Sequence, residues 1–286
     1  MFKFLKKNFY TFIFLLMFST TQHSFSKTII WDLGETLFTI SRLKIAYKIG
    51  ISHFISYALI DWQNPNIQPI IFDILEKINP TEEFPKEIAT DNEGNPLPII
   101  MNKWLAGIIS SKELIVSVDD YIEHLDAKNY FLSSRQKELV KRTLHVMFDP
   151  ETLATASYPI KEAVLLLKEC HDALDADGKS KNNLFVLSNW DETSFELFKE
   201  RNKEFFNTYF KSNRIIISAS IGLIKPQKAA FEYLINTYQL DPKECIFIDD
   251  SYDNILAAQE CGITSLLICK GNYSVLGKIL KRLGAL

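Results

Sequence analysis

Short apolar runs, each ending in polar residues, recur along this chain. Residues 28–31 read Thr-Ile-Ile-Trp and lead into Asp32 and Gly34. Runs of the same kind occupy 184–187, ending at Ser188, then 214–218, then 245–248, ending at Asp249, and finally 265–268. They are apolar at successive rather than alternate positions, as parallel strands covered on both faces require. Between them the apolar period lengthens to three and four. Pro159 opens a helix over 160–170, with Ala163, Leu166 and Leu167 on one face. Pro226 opens another over 227–239, with Ala230, Phe231, Leu234 and Tyr238 aligned, and a third over 252–261 is closed by Gly262. Strands alternating with helices predict an α/β fold, a doubly wound parallel sheet.

The stretch 42–149 breaks the alternation. It is rich in aromatic residues and reads as helical, at 43–58, 69–78 and 133–147, with a turn-rich break at 91–98. An insertion after the first strand is expected to form a helical cap domain over the carboxyl end of the sheet. The core then comprises 27–41 and 150–286. The polar segment 175–183 is expected to be a solvated loop.

The first residues belong to neither unit. Lys3, Lys6 and Lys7 precede an apolar run over 9–18, and Ser24 and Ser26 stand at −3 and −1 of a cut before Lys27. That layout predicts a signal peptide over 1–26 and a secreted or periplasmic protein, with an uncleaved membrane anchor as the alternative. The 286-residue chain carries a formal charge of −3, and without the three lysines of 1–26 it is at −6. Such a balance gives no electrostatic footprint for nucleic acid. No second long apolar run follows, so no membrane partner is expected after cleavage. Four scattered cysteines form no CxxC pair, which argues against a zinc site. The apolar neighbours of Cys245 and Cys269 favour plain buried thiols.

In an open parallel sheet, function collects at the carboxyl ends of the strands. Here those ends carry Asp32, then Ser188 with Asn189, then Asp249 with Asp250, and Lys225 follows shortly after the run at 214–218. Carboxylates, a hydroxyl and an ammonium converging on one crevice suit Mg²⁺ and a phosphate, because oxygen ligands hold a hard cation and the lysine balances phosphate charge. Taken singly, each residue could as well cap a helix or form a turn. Trp31 and Trp190 flank the site residues and read as packing.

The order of these groups resembles the four motifs of the haloacid dehalogenase (HAD) superfamily. Asp32-Leu33-Gly34-Glu35-Thr36 is similar to its first motif, and Leu187-Ser188-Asn189 to its second. Gly222 to Pro226, containing Lys225, resembles the third, and Ile248-Asp249-Asp250 with Asn254, Ala257 and Gly262 the fourth. The insertion sits where that family places its C1 cap. The resemblance implies a Rossmann-like core and an Mg²⁺-dependent phosphatase acting on a small phosphorylated molecule. It implies that Asp32 attacks phosphorus to form an aspartyl-phosphate. Mg²⁺ would be held by Asp32, the Gly34 carbonyl and Asp250, with Asp249 orienting a bound water. Ser188 and the backbone of Asn189 would hold phosphate oxygens, and Lys225 would offset the charge of nucleophile and phosphate.

One position departs from the pattern. Where most phosphatases of the superfamily carry a second aspartate as general acid, this chain has Gly34. Glu35 is a substitute only if its side chain reaches the site, and strand alternation predicts that it points the other way. The Asp-x-Gly variant resembles branches acting on sugar 1-phosphates, whose leaving group depends less on an acid. Two alternatives stay open: an impaired relative that binds a phosphorylated ligand or a partner, and a 2-haloacid dehalogenase.

Overall fold

The computed structural model describes residues 26–61, 66–78, 84–85, 87–91, 94–269 and 271–286. The expected signal segment therefore lies outside the described residues, apart from Ser26. Five strands form a parallel sheet: β1 (Lys27–Trp31), β4 (Asn182–Ser188), β5 (Ile215–Ile217), β6 (Cys245–Asp249) and β7 (Thr264–Leu267), in the order β5-β4-β1-β6-β7. β1 is central, in register with β4 through Ile29↔Leu184 and with β6 through Ile29↔Ile246. The strand order reverses at β1, and Asp32 lies one residue beyond its end, the place where such sheets open a crevice.

The pleat explains why the strands are apolar throughout. Ile29 and Trp31 of β1 join Val186, Ile246 and Ile248 in a core on one face, beneath helices Lys161–Asp172, Glu192–Arg201 and Tyr273–Arg282. Ile30 points to the opposite core, with Phe185, Phe247 and helix Lys228–Tyr238. Full burial of each such side chain stabilises the fold by about 1.5–3 kcal/mol. β7 departs from the expected pattern. It is an edge strand whose residues are half-buried or exposed, and Cys269 just beyond it is exposed rather than buried. Cys245 in β6 is buried as expected, and all four cysteines are free thiols.

The described residues of 42–148 are mainly helical, with helices Arg42–Ile49, Ile51–Ile60, Gln68–Lys77, Ile99–Leu105, Ser111–Ala127 and Ser134–Phe148. They bury a core of their own, including Ile74, Leu114, Val118, Leu139 and Phe148. The single helix expected over 43–58 is two, because Gly50 adopts φ 99° between them, a conformation costly for other residues.

Two short strands went unread in the sequence. β2 (Phe38–Ile40) pairs antiparallel with β3 (Ser157–Pro159), tying together the chain's exit from the sheet and its return. Pro159 therefore ends a strand instead of opening the helix, which begins at Lys161. A three-residue strand has too few positions to show a period, and proline is tolerated in such an edge pair. A second seam joins the helical unit to the sheet. The Ser218 hydroxyl donates to the Leu105 carbonyl at 2.5 Å. Beside it, a Cβ on Gly107 (φ 71°) would stand 2.7 Å from the Ala219 carbonyl oxygen. No helix among the described residues is long and apolar enough to cross a membrane.

Candidate active site

The strand ends converge. Lys225, 2% exposed, projects its ammonium between two carboxylates, 2.6 Å from Asp32 Oδ1 and 2.5 Å from Asp249 Oδ2. The loop that carries it is held from β4: Asn189 Oδ1 accepts from the Lys225 amide at 2.8 Å, and Asn189 Nδ2 donates to the Lys225 carbonyl at 2.8 Å. The side-chain amide of Asn189 is thus committed to placing Lys225, so any contact with phosphate falls to its backbone. Asp249 is fixed in turn by the Ser251 amide at 2.8 Å and by Asn254 Nδ2 at 3.0 Å, both on its Oδ1. Ser188, 2% exposed at the end of β4, lines the same cavity as Asp32 and lowers the carboxyl's pKa against the effect of burial.

The charges at this point do not balance. Burial pushes the Asp32 carboxyl up to about 6, Lys225 pulls against it, and repulsion from Asp249 adds to the rise. Burial likewise lifts Asp250 to about 7, with Asp32 and Asp249 raising it further. Burial works against the charge on Lys225, but attraction to Asp249 and Asp32 outweighs it and holds the ammonium above its ordinary pKa. One ammonium therefore faces three carboxylates. No side chain among the described residues hydrogen-bonds Asp250. A deficit of positive charge beside an oxygen donor set fits a hard divalent cation. Among the described residues no group of three acidic, His or Cys side chains forms a cage. Mg²⁺ does not need one, since it is usually held by one or two carboxylates together with water and phosphate oxygens. Asp32, Asp250 and the Gly34 carbonyl are the groups that would hold it.

A cavity of about 670 Å³ opens onto these groups, and Asp32, Gly34, Ser188, Asn189, Lys225, Asp249 and Asp250 all line it. The cavity also brings in residues that sequence reading had passed over. The turn-rich segment at 91–98 is part of a hairpin bridged at Thr90↔Pro96. Buried Asn102 clamps it, accepting from the Ala89 amide at 2.8 Å and donating to the carbonyls of Leu97 and Pro98. From this hairpin Thr90 Oγ1 donates to Asp253 Oδ2 across the cavity at 2.9 Å. The only signal in the sequence was the cluster of turn residues; its position over the site depends on the packing of the helical unit.

Glu35 corrects an expectation. Strand alternation placed its side chain away from the site, yet it lines the cavity and accepts from Thr39 Oγ1 at 2.7 Å. β1 ends at Trp31, and Glu35 sits at φ 51°, so the period of the strand does not reach it. Gly34, in contrast, has no left-handed φ, and among the described residues beyond its chain neighbours a Cβ there would come within 4 Å of Asp32 Oδ2 alone, at 3.9 Å. Its backbone does not require glycine.

A parallel sheet with an aspartate beyond its central strand, a lysine–carboxylate cluster opposite and a helical insertion above defines the HAD type of hydrolase. A family profile described as "haloacid dehalogenase-like hydrolase" matches residues 26–262, and the chain belongs to that family. Its fold is similar to that of the HAD family enzyme bt-2542 from Bacteroides thetaiotaomicron, with TM-score 0.50 and 18% identity over 87% of this chain and 97% of that one. The magnesium complex of the same enzyme gives TM-score 0.50 at 20% identity, again over 87% and 97%. At these identities the likeness is one of fold. Mouse bifunctional epoxide hydrolase 2 is 32% identical over 54 residues, which are 19% of this chain and 10% of that protein. The match thus spans about a tenth of the curated relative's length.

Proposed function

We propose that this hydrolase is an Mg²⁺-dependent phosphatase that cleaves small phosphate monoesters through an aspartyl-phosphate on Asp32. The observation that carries the reading is the ammonium of Lys225 set between Asp32 and Asp249, with Asp250 adding a third carboxylate. That arrangement leaves room in charge for a divalent cation and a phosphate together. Magnesium in the complex of the Bacteroides thetaiotaomicron enzyme supports the same choice of metal. When bound, Mg²⁺ would polarise the phosphate and offset its charge.

The chain's own groups divide the remaining work. Asp32, ionised above about pH 6, is the nucleophile, and burial removes the water that would otherwise solvate it. Lys225 keeps nucleophile and phosphate from repelling one another, and Asn189 keeps Lys225 in place. The Ser188 hydroxyl and the backbone beyond it take phosphate oxygens. Thr90 and Asp253, joined by a hydrogen bond, form part of the cavity wall that a substrate would meet.

With glycine at position 34, the favoured substrates are those whose leaving group departs without much help, such as sugar 1-phosphates and aryl phosphates. The N-terminal sequence layout favours export, to a secreted or periplasmic location, with an N-terminal membrane anchor as the alternative. A 2-haloacid dehalogenase is disfavoured by charge. That branch works without a metal, so its carboxylate substrate would meet Asp32, Glu35, Asp91, Asp249, Asp250 and Asp253 on the described cavity walls with only the doubly paired Lys225 to offset them, whereas a phosphate would arrive with Mg²⁺.

The test is a panel of phosphate esters and 2-haloacids assayed on the purified protein with and without Mg²⁺. Turnover of aryl or anomeric phosphates that vanishes with chelator supports the reading. Halide release without metal would replace it with a dehalogenase, and phosphate binding with no turnover would make the chain an impaired relative.

A further inference from the structure

Helices Arg42–Ile49 and Ile51–Ile60 lie on helix Ser134–Phe148 by their inner faces. Ile49 and Tyr57 are buried there, the Ile49 carbonyl accepts from Arg142 Nε at 2.7 Å, and the Tyr57 hydroxyl accepts from Gln136 Nε2 at 2.7 Å. Their outer faces stay exposed among the described residues. Leu43 and Tyr47 are 82% and 77% exposed, and Ile51, Ile55 and Leu59 continue the series at steps of four, each at least half exposed. Steps of four keep side chains on one face of a helix, so each of the two helices carries an uninterrupted apolar stripe outward. Single exposed apolar residues are ordinary, but a row of five on neighbouring helices is not.

The charge on this segment is as one-sided as its hydropathy. From residue 42 to 60 there is no aspartate or glutamate, while Arg42, Lys44 and Lys48 are all exposed, in a chain that is acidic overall. Lys44 rests on the Thr155 carbonyl at 2.9 Å. Close by, Lys141 and Arg142 are paired with Asp119 and Glu138; Lys48 lines a groove beside Glu138, Lys141 and Arg142, but it and Arg42 are exposed and form no ion pair with a described residue.

We infer that this face docks on an anionic lipid surface, the two helices lying in the plane of the interface with their stripes in the headgroup region. Apolar residues flanked by cations, without acids, have the composition of interfacial helices. A second copy of this chain is the poorer occupant, because a twofold contact would set the basic residues of one face against those of the other. The expectation of no membrane contact rested on the absence of a second spanning run. A docking face needs no such run and is recognisable only once the exposed sides of the helices are known. The inference is independent of the catalytic reading.

The test is hydrogen–deuterium exchange of the full chain with vesicles of phosphatidylcholine alone and of phosphatidylcholine with phosphatidylglycerol. The readout is confined to peptides from 42–60, so attachment through any other segment does not register. Slower exchange in these peptides with the anionic vesicles alone, reversed by high salt, is expected. Each basic side chain near such a surface contributes about five-fold to partitioning, so Arg42→Gln with Lys48→Gln should raise the lipid concentration for half protection roughly 25-fold. Leu43→Gln with Ile55→Gln should abolish the protection, with thermal unfolding measured alongside to show that the variants remain folded. Unchanged exchange with either vesicle overturns the inference, as does equal protection by neutral lipid. Protection that grows with protein concentration in the absence of lipid would overturn it in favour of self-association.

Discussion

Replacing Gly34 by aspartate supplies the second carboxylate that the resemblance to HAD phosphatases leads one to expect, and separates chemistry from backbone geometry. A Cβ at this position has ordinary space, with Asp32 Oδ2 at 3.9 Å as the one atom within 4 Å among the described residues apart from its chain neighbours, and the glycine is not in a left-handed conformation. The substitution should therefore fold. The new carboxyl would join Asp32, Asp249 and Asp250, of which Asp32 and Asp250 are already raised by burial and mutual repulsion. Another ionised carboxylate about 5 Å away would cost roughly 3 kcal/mol at an effective dielectric of 20, or about two pKa units, which brings the new carboxyl close to the range in which a general acid works at mildly acidic pH. General acid help is worth ~10²–10⁴-fold, or about 2.7–5.5 kcal/mol of barrier. The assay is kcat/KM across phosphate monoesters whose leaving groups run from nitrophenols to simple alcohols. The wild type should fall steeply as leaving-group pKa rises, and Gly34→Asp should lift the alkyl esters by up to ~10²-fold while nitrophenyl phosphate changes less than about threefold. A flat wild-type dependence would refute the reasoning. If Glu35→Gln then makes it steep, the acid is Glu35, brought to the cavity by its left-handed turn.

Asp32→Asn should abolish turnover with thermal unfolding little changed, because an amide cannot act as the nucleophile; residual activity near that of the wild type would remove Asp32 from the chemistry. Asp250→Ala should shift the Mg²⁺ dependence to higher concentration, with partial recovery at saturation, and an unchanged dependence would exclude Asp250 as a ligand. The pH dependence follows from two raised carboxyls, Asp32 at about 6 and Asp250 at about 7. Between about pH 4 and 7 the metal-free folded protein binds protons that the unfolded chain has released, so these groups lower its stability as pH rises through that window. Mg²⁺ competes with the same protons, so the rise in Tm on adding it should grow from pH 5 to 8; a rise that shrinks over that range would contradict the assignment.

The core of the fold was legible because it depends on local periodicity. The runs at 28–31, 184–187 and 245–248 became the central strands β1, β4 and β6, and their polar ends met in one cavity. Lys225 shows the limit of that reading. Its place was indicated by motif order, whereas its double pairing with Asp32 and Asp249 and its support by Asn189 are tertiary facts. Glu35 was misread because the period of a strand was carried past the strand's end. The hairpin at 89–97 looked like any turn, since nothing local records that Asn102 clamps it or that Thr90 reaches Asp253. The pairing of β2 with β3 joins residues more than a hundred positions apart, beyond the reach of pattern.

The central claim is covalent catalysis by Asp32, and acid quenching of a single turnover tests it most directly. With an aryl phosphate labelled in its phosphoryl group, the account predicts label on the protein that survives acid, is released by hydroxylamine, and maps to the peptide containing Asp32. It should be absent from Asp32→Asn. Turnover that proceeds with no protein-bound label at any quench time, or label on a different peptide, would contradict it.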